Sequence, residues 1–167
     1  MAADPADVER LTERVIGCAI AVHRELGPGL LESVYSECLS LERLANQLRV
    51  EREREVAIVY RGETIRSRLR IDLLVEDQII VEVKAVERSN PVYLAQLVTY
   101  LKMTGLPAGL LLNFNAPTLK AGLKRASRPD IYALKLALSA DGKGKVHPMK
   151  ADVGRVSKAR EDGPSGD

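Results

Sequence analysis

The stretch Ile79–Val86, "IIVEVKAV", decides how this chain folds. Eight residues, aliphatic and β-branched almost throughout, describe a strand buried on both faces. Glu82 and Lys84 nevertheless stand in the middle of it. They lie two residues apart, so they point to one face of a sheet. An unpaired charge in such a run costs several kcal/mol or more, so this pair needs a partner or a task.

The preceding run, Ile65–Val75, reads as a second strand, joined to the first by Glu76-Asp77-Gln78. A three-residue connection pairs Val75 with Ile79, and counting outward sets Asp72 opposite Glu82 and Arg70 opposite Lys84. One face then carries Arg70, Asp72, Glu82 and Lys84. The other carries Ile71, Leu73, Val75, Val81, Val83 and Ala85, an unbroken apolar surface. A slip of one residue would split the carboxylates and spoil that surface. Two carboxylates facing each other repel, which either raises a pKa or invites a divalent cation. Oxygen ligands suit Mg²⁺ or Mn²⁺. Lys84 can hold a water or a developing charge beside such an ion. A salt-bridge ladder on a solvated sheet is the plainer explanation, but the flanking run is too apolar for it.

Outward from this hairpin the periodicities change. Asp4-Pro5 starts a helix whose apolar positions Val8, Leu11, Val15, Cys18, Val22 and Leu26 end at Gly27. Leu31 to Leu48 marks a second amphipathic helix. Val56–Tyr60 reads as a strand, and "EREREV" (Glu51 to Val56) as a solvated stretch. Asn90-Pro91 caps a third helix reaching about Thr104. Gly109–Phe114, "GLLLNF", reads as a buried strand, Leu119–Ser127 as a short helix stopped by Pro129, and Ile131–Leu138 as a final edge strand. This order implies an α/β fold in which a mixed sheet is flanked by helices, the last central strand returning parallel to a neighbour. Residues 1–139 form one domain, and residues 140–167, polar and without period, read as a mobile tail.

Composition narrows the field. The 167 residues are 46% hydrophobic, enough for a core, and 25 Lys and Arg against 23 Asp and Glu leave a net charge of +2. That balance neither favours nor excludes nucleic acid, so any basic surface must be local. The near absence of aromatics, with no Trp and one Phe, weakens any module that stacks bases on an aromatic sheet. Cys18 and Cys38 fall on apolar helical positions and read as reduced thiols of a cytoplasmic protein. Neither a secretory leader nor a membrane span is expected.

An Asp, a gap and then Glu-x-Lys on a hairpin resembles the signature of the PD-(D/E)xK nuclease superfamily, and the helix order resembles its restriction-endonuclease-like core, α-β-β-β-α-β. Upstream, "GLLESVY" (Gly29, Glu32, Tyr35) resembles the motif that names the GxxExxY proteins, a bacterial branch of it. "QLVTYLKMTGL" and "GLLLNFN" are similar to further segments of that family, the likeness running from about Leu11 to Arg128. The resemblance implies a metal held by Asp72, Glu82 and the Val83 carbonyl, with Lys84 as catalytic lysine. It implies that Glu32 is an additional acidic residue and that Gln96 supports the site, with Tyr100 following it. Ile71 departs from the proline of the superfamily's name.

Substrate contacts are expected from Arg70, which continues the row of Arg66 and Arg68, from Tyr35 and Tyr100, and from Lys120 and Lys124 on a helix side shared with Arg125 and Arg128. A solvated basic row, or ordinary core tyrosines, would explain the same residues. His23 reads as a packed or surface residue. The expected function is metal-dependent hydrolysis of phosphodiester bonds in DNA or RNA, with oligomeric state open and a homodimer compatible. The alternative is a non-catalytic module that binds nucleic acid or protein on the same fold. A retaining glycosidase with a carboxylate pair is a third class, and no aromatic platform for a sugar supports it.

Overall fold

The computed structural model describes residues 4–127, apart from the side chains at 43 and 44. The expected edge strand Ile131–Leu138, Arg128 and the tail from 140 lie outside those residues. Asp4 accepts the Ala6 N–H at 2.9 Å and Pro5 opens the first turn, so α1 spans Pro5–Leu26. Gly27, at φ 67°, ends it by donating its N–H to the His23 carbonyl. After the Gly-Pro-Gly turn, α2 spans Glu32–Ala45, shorter than its apolar pattern. Tyr35 holds that turn: its hydroxyl donates to the Gly27 carbonyl at 2.6 Å and accepts the Leu30 N–H at 3.1 Å.

Three strands follow, β1 (Val50–Tyr60), β2 (Glu63–Val75) and β3 (Ile79–Lys84), then α3 (Pro91–Thr104) and β4 (Ala108–Asn113). β1 begins six residues before the expected Val56, so "EREREV" is strand rather than connection. It lies at the edge of the sheet, where charged side chains face water and blunt further pairing. The last elements among the described residues are α4 (Leu119–Gly122) and β5 (Leu123–Ser127). The helix expected over Leu119–Ser127 is therefore a single turn. Leu123–Ser127 instead pairs antiparallel with β4, from Ala108↔Ser127 to Leu112↔Leu123. Without it the apolar β4 would be an open edge, and that tertiary demand overrides local helix preference. Only glycine permits the turn, because a Cβ on Gly122 would stand 2.1 Å from the Asn113 carbonyl oxygen.

The five strands run in the order β1-β2-β3-β4-β5, antiparallel except for the parallel pair β3–β4. That parallel pair requires a crossover, which α3 supplies. One face packs Leu73, Val81, Val83, Leu110 and Leu112 against α1 and α2 through Leu11, Val15, Tyr35 and Leu39. The other packs Leu74, Ile80 and Leu111 against Leu97, Tyr100 and Leu101 of α3. β3 and β4 are thus covered on both sides, which is why their sequences are apolar at nearly every position.

Candidate active site

The hairpin register agrees with the sequence reading at its closed end, where Val75↔Ile79, Leu74↔Ile80 and Leu73↔Val81 are paired. The turn is closed by the Gln78 N–H on the Val75 carbonyl at 2.9 Å, with positive φ at Glu76 and Asp77. Beyond Leu73↔Val81 the ladder stops, and the expected continuous pairing through Asp72–Glu82 and Arg70–Lys84 is not formed. The cause lies partly on β1. Its pairing with β2 passes from Arg52↔Leu73 to Arg54↔Ile71 and skips Glu53, whose φ is 52°. The alternation of faces along β2 breaks at the skipped partner, Asp72. Ile71 consequently leaves the face of Leu73 and joins the α3-side core, against the expectation of one apolar row.

As β2 peels away, the N–H groups of β3 lose their strand partners, and carboxylates replace them. Asp72 Oδ2 accepts from the Val83 N–H at 2.9 Å, and Glu32 Oε1, from the first residue of α2, accepts from the Ala85 N–H at 3.3 Å. A strand N–H lies in the plane of the sheet, so the Asp72 carboxylate lies in the gap between the strands rather than on the Lys84 face. On the far side of β3, the Asn113 carboxamide accepts from the Val86 N–H and donates to the Val86 carbonyl, at 3.1 and 2.9 Å. The end of β3 is therefore fixed from both sides. Asn113 was not singled out from sequence; the one amide closing the apolar run of β4 was its signal.

Glu82 is 2% exposed. Its Oε1 is buried with no hydrogen-bond partner among the described residues, and its Oε2 is 3.8 Å from Lys84 Nζ. Burial pushes the Glu82 carboxyl up to about 8; the adjacent Asp72 carboxylate adds to the rise, and Lys84 opposes it. A buried carboxyl with an orphaned oxygen beside a second carboxylate is unfavourable for two anions and suits a divalent cation. The pair supplies two side-chain ligands only, since no three His, Cys, Asp or Glu side chains converge as a metal cluster among the described residues. Further positions would fall to backbone oxygen and water.

A cleft of about 550 Å³ opens where the strands part. Glu32, Ser36, Arg52, Glu53, Arg70 and Asp72 line it, with Leu30 and Leu31 at its rim. Arg70 reaches the cleft as a loosely held cation, 3.8 Å from Glu53, with its side chain 68% exposed. Lys84 points to the other side of the sheet, its Nζ 5.5 Å from the centroid of Tyr93 on α3. Arg52, Glu53 and Tyr93 were not anticipated, because a strand bend and a helix docking angle bring them in.

The two tyrosines expected at the substrate are core residues. Tyr35 is fully buried, stacks on Phe114 with centroids 4.5 Å apart, and has both hydroxyl functions engaged at the α1–α2 turn. Tyr100 is 7% exposed in the α3-side core, and its hydroxyl accepts from Gln96 Nε2 at 2.7 Å. Gln96 makes no hydrogen bond to Asp72, Glu82 or Lys84 among the described residues. The basic helix side also divides, because its carriers lie on a strand. Lys124 faces α3, whereas Arg125 faces α1 and places one nitrogen 2.7 Å from both Glu9 oxygens. Lys120 is exposed on α4. His23 is buried, its Nε2 2.9 Å from the Ala116 carbonyl, and Cys18 and Cys38 are free thiols. No helix among the described residues is long and apolar enough to cross a membrane.

The family model described as PD-(D/E)XK nuclease superfamily matches residues 9–126. No curated protein and no solved structure matches the chain significantly.

Proposed function

The chain belongs to the PD-(D/E)XK nuclease superfamily, and from that premise we propose that it hydrolyses phosphodiester bonds of nucleic acid with a divalent cation, Mg²⁺ or Mn²⁺, held by Asp72 and Glu82. The observation that carries this reading is the buried Glu82 carboxyl, its Oε1 without a hydrogen-bond partner among the described residues, beside Asp72 and Lys84. The Val83 carbonyl is the third ligand in this reading. A bound divalent cation supplies Lewis acidity toward the phosphoryl oxygens and the attacking water.

The chain's own residues do the rest. Asp72 and Glu32, by capping the N–H groups of Val83 and Ala85, hold the end of β3 rigid and keep Lys84 in place. The Lys84 ammonium orients the water and balances the charge that grows on the phosphoryl oxygens. Water oxygen bonds to phosphorus and releases one proton to solvent as the bond to the 3′ oxygen breaks in line, and the leaving oxygen takes one proton from solvent. Arg70 and Lys120 hold phosphates of the substrate strand. Gln96 acts from α3 by fixing Tyr100 in the α3-side core. The free thiols of Cys18 and Cys38 support a cytoplasmic setting.

The test is a labelled panel of single- and double-stranded DNA and RNA, incubated with Mg²⁺ or Mn²⁺. Wild type should cut at least one member, and Lys84→Ala should bind that member almost as well while cutting it at least ~10²-fold more slowly. Binding without cutting by wild type, matched by Lys84→Ala, would make the protein a binding module on a nuclease fold.

A further inference from the structure

Lys84 and Lys124 occupy the same face of the sheet. Lys84 is in register with Asn113 on β4, and Lys124 on β5 with Leu111. The two lysines thus rise from strands two apart, roughly 10 Å between backbones. Between them is a second cleft, of about 60 Å³, lined among others by Lys84, Ser89, Tyr93, Asn113, Gly122 and Lys124. That volume holds roughly four waters, or one phosphate group.

The charges of the two clefts are segregated. The larger one contains Glu32, Glu53 and Asp72, whereas no acidic side chain among the described residues lines the smaller. Lys84 is anchored at one end by Glu82, at 3.8 Å, and by the Tyr93 ring. Lys124 is exposed and has no ion pair among the described residues, although its neighbour Arg125 is committed to Glu9 on the opposite face. Two lysines line one cleft that among the described residues has no acidic side chain in its wall, an arrangement that favours a compact anion between them. The apolar walls, Val86 and Leu111, strengthen that attraction by excluding water. Gly122 matters here too. Its missing Cβ lets the turn into β5 close onto the end of β4, which sets Lys124 on the Lys84 face, two residues along the strands from the Lys84–Asn113 row and in line with Leu111 and Glu82.

Resting on the nuclease reading, we propose that this cleft is an anion subsite for the phosphate next to the scissile one. Lys84 then stands between the two phosphates, and Lys124, with the Ser89 hydroxyl, holds the outer. The substrate class is accordingly a polynucleotide whose chain continues past the cleaved bond, rather than an isolated phosphodiester.

Two substrates separate these cases, a short oligonucleotide that wild type cleaves and bis(p-nitrophenyl) phosphate, which has no neighbouring phosphate. Lys124→Ala and Lys124→Gln should lower kcat/KM on the oligonucleotide about ten-fold, chiefly through KM, the scale of one charge-assisted hydrogen bond. Both should hydrolyse bis(p-nitrophenyl) phosphate at the wild-type rate, and Arg49→Ala, a loss of charge beside Asp77 at the closed end of the β2–β3 hairpin, should change neither substrate. An equal loss on both substrates, or none on either, would overturn the subsite. A titration with inorganic phosphate, followed by amide shifts in the metal-free protein, needs no catalysis. Shifts at Ser89, Gly122 and Lys124 that vanish in Lys124→Ala are expected. Shifts elsewhere, or unaffected by the substitution, would overturn the proposal. Absence of cleavage with the phosphate shifts intact would instead sink the nuclease reading and leave an anion site.

Discussion

Glu82 is buried because its neighbours in sequence are, and its carboxyl carries the consequence. Spacing alone makes Glu82 and Lys84 share a face, so this part of the site is legible from eight residues. The role of Asp72 is only half legible. Counting across the hairpin brings it beside Glu82, but its bond to the Val83 N–H forms where the β2–β3 ladder stops, and no local pattern encodes that stop. In the protein stripped of metal, the Glu82 carboxyl stands at about 8, raised by burial, against ~4.3 for glutamate in an unfolded chain. A folded-state pKa above the unfolded value means that the folded state holds the proton more tightly. The stability it contributes is fully present below ~4.3 and is lost as pH rises through the folded value. Thermal melts in EDTA should therefore fall steadily from about pH 5 to pH 8. In the proposed reading a divalent cation takes the place of the proton, so the rise in Tm on adding Mg²⁺ should be larger at pH 8 than at pH 6. A Tm independent of pH, with or without Mg²⁺, would argue against a strained carboxyl at this position.

At the scale of elements, the helices α1 and α3 are readable because punctuation marks them: Asp4-Pro5 and Asn90-Pro91 at their starts, Gly27 and Gly105 at their ends. The C-terminal Leu119–Ser127 is misread for the same reason that the others are read. It has a capping Thr118 and no internal breaker except Gly122, so local signals favour a helix, while the open edge of β4 imposes a strand. Gly122 is the hinge between these outcomes. Gly122→Ala would drive a Cβ into the Asn113 carbonyl at 2.1 Å, and either the turn or β5 must shift. A loss of ~1–3 kcal/mol is expected from denaturant unfolding. Gly17→Ala is the control, because it lies inside α1 with nothing within 4 Å of its Cβ. It should leave stability unchanged or raise it by ~0.5–1 kcal/mol. Equal effects of the two substitutions would contradict the close approach at Gly122.

The whole molecule is a sheet of uneven cover. Its centre, β3 and β4, is packed on both faces, whereas the first part of β2, from Glu63 to Arg68, is exposed and no residue of β1 is fully buried. Native-state hydrogen exchange should rank accordingly, with the amides of Ile80 to Val83 and Leu110 to Leu112 slowest and those of β1 fastest. Comparable protection along β1 would mean that this edge is covered in solution. The layered α/β architecture follows from alternating periods along the chain, which is why it was legible. The two clefts were not, because each depends on where strands part or helices dock. The site lies where the firm centre of the sheet meets its loose edge, and its central claim is that Asp72 and Glu82 together hold a divalent cation. Calorimetric titration of wild type and Asp72→Asn with Mn²⁺, on folded protein of matched secondary structure, tests that claim most directly. One site in wild type that disappears in Asp72→Asn is the expected result; equal Mn²⁺ binding by both proteins, or none by wild type, would contradict it.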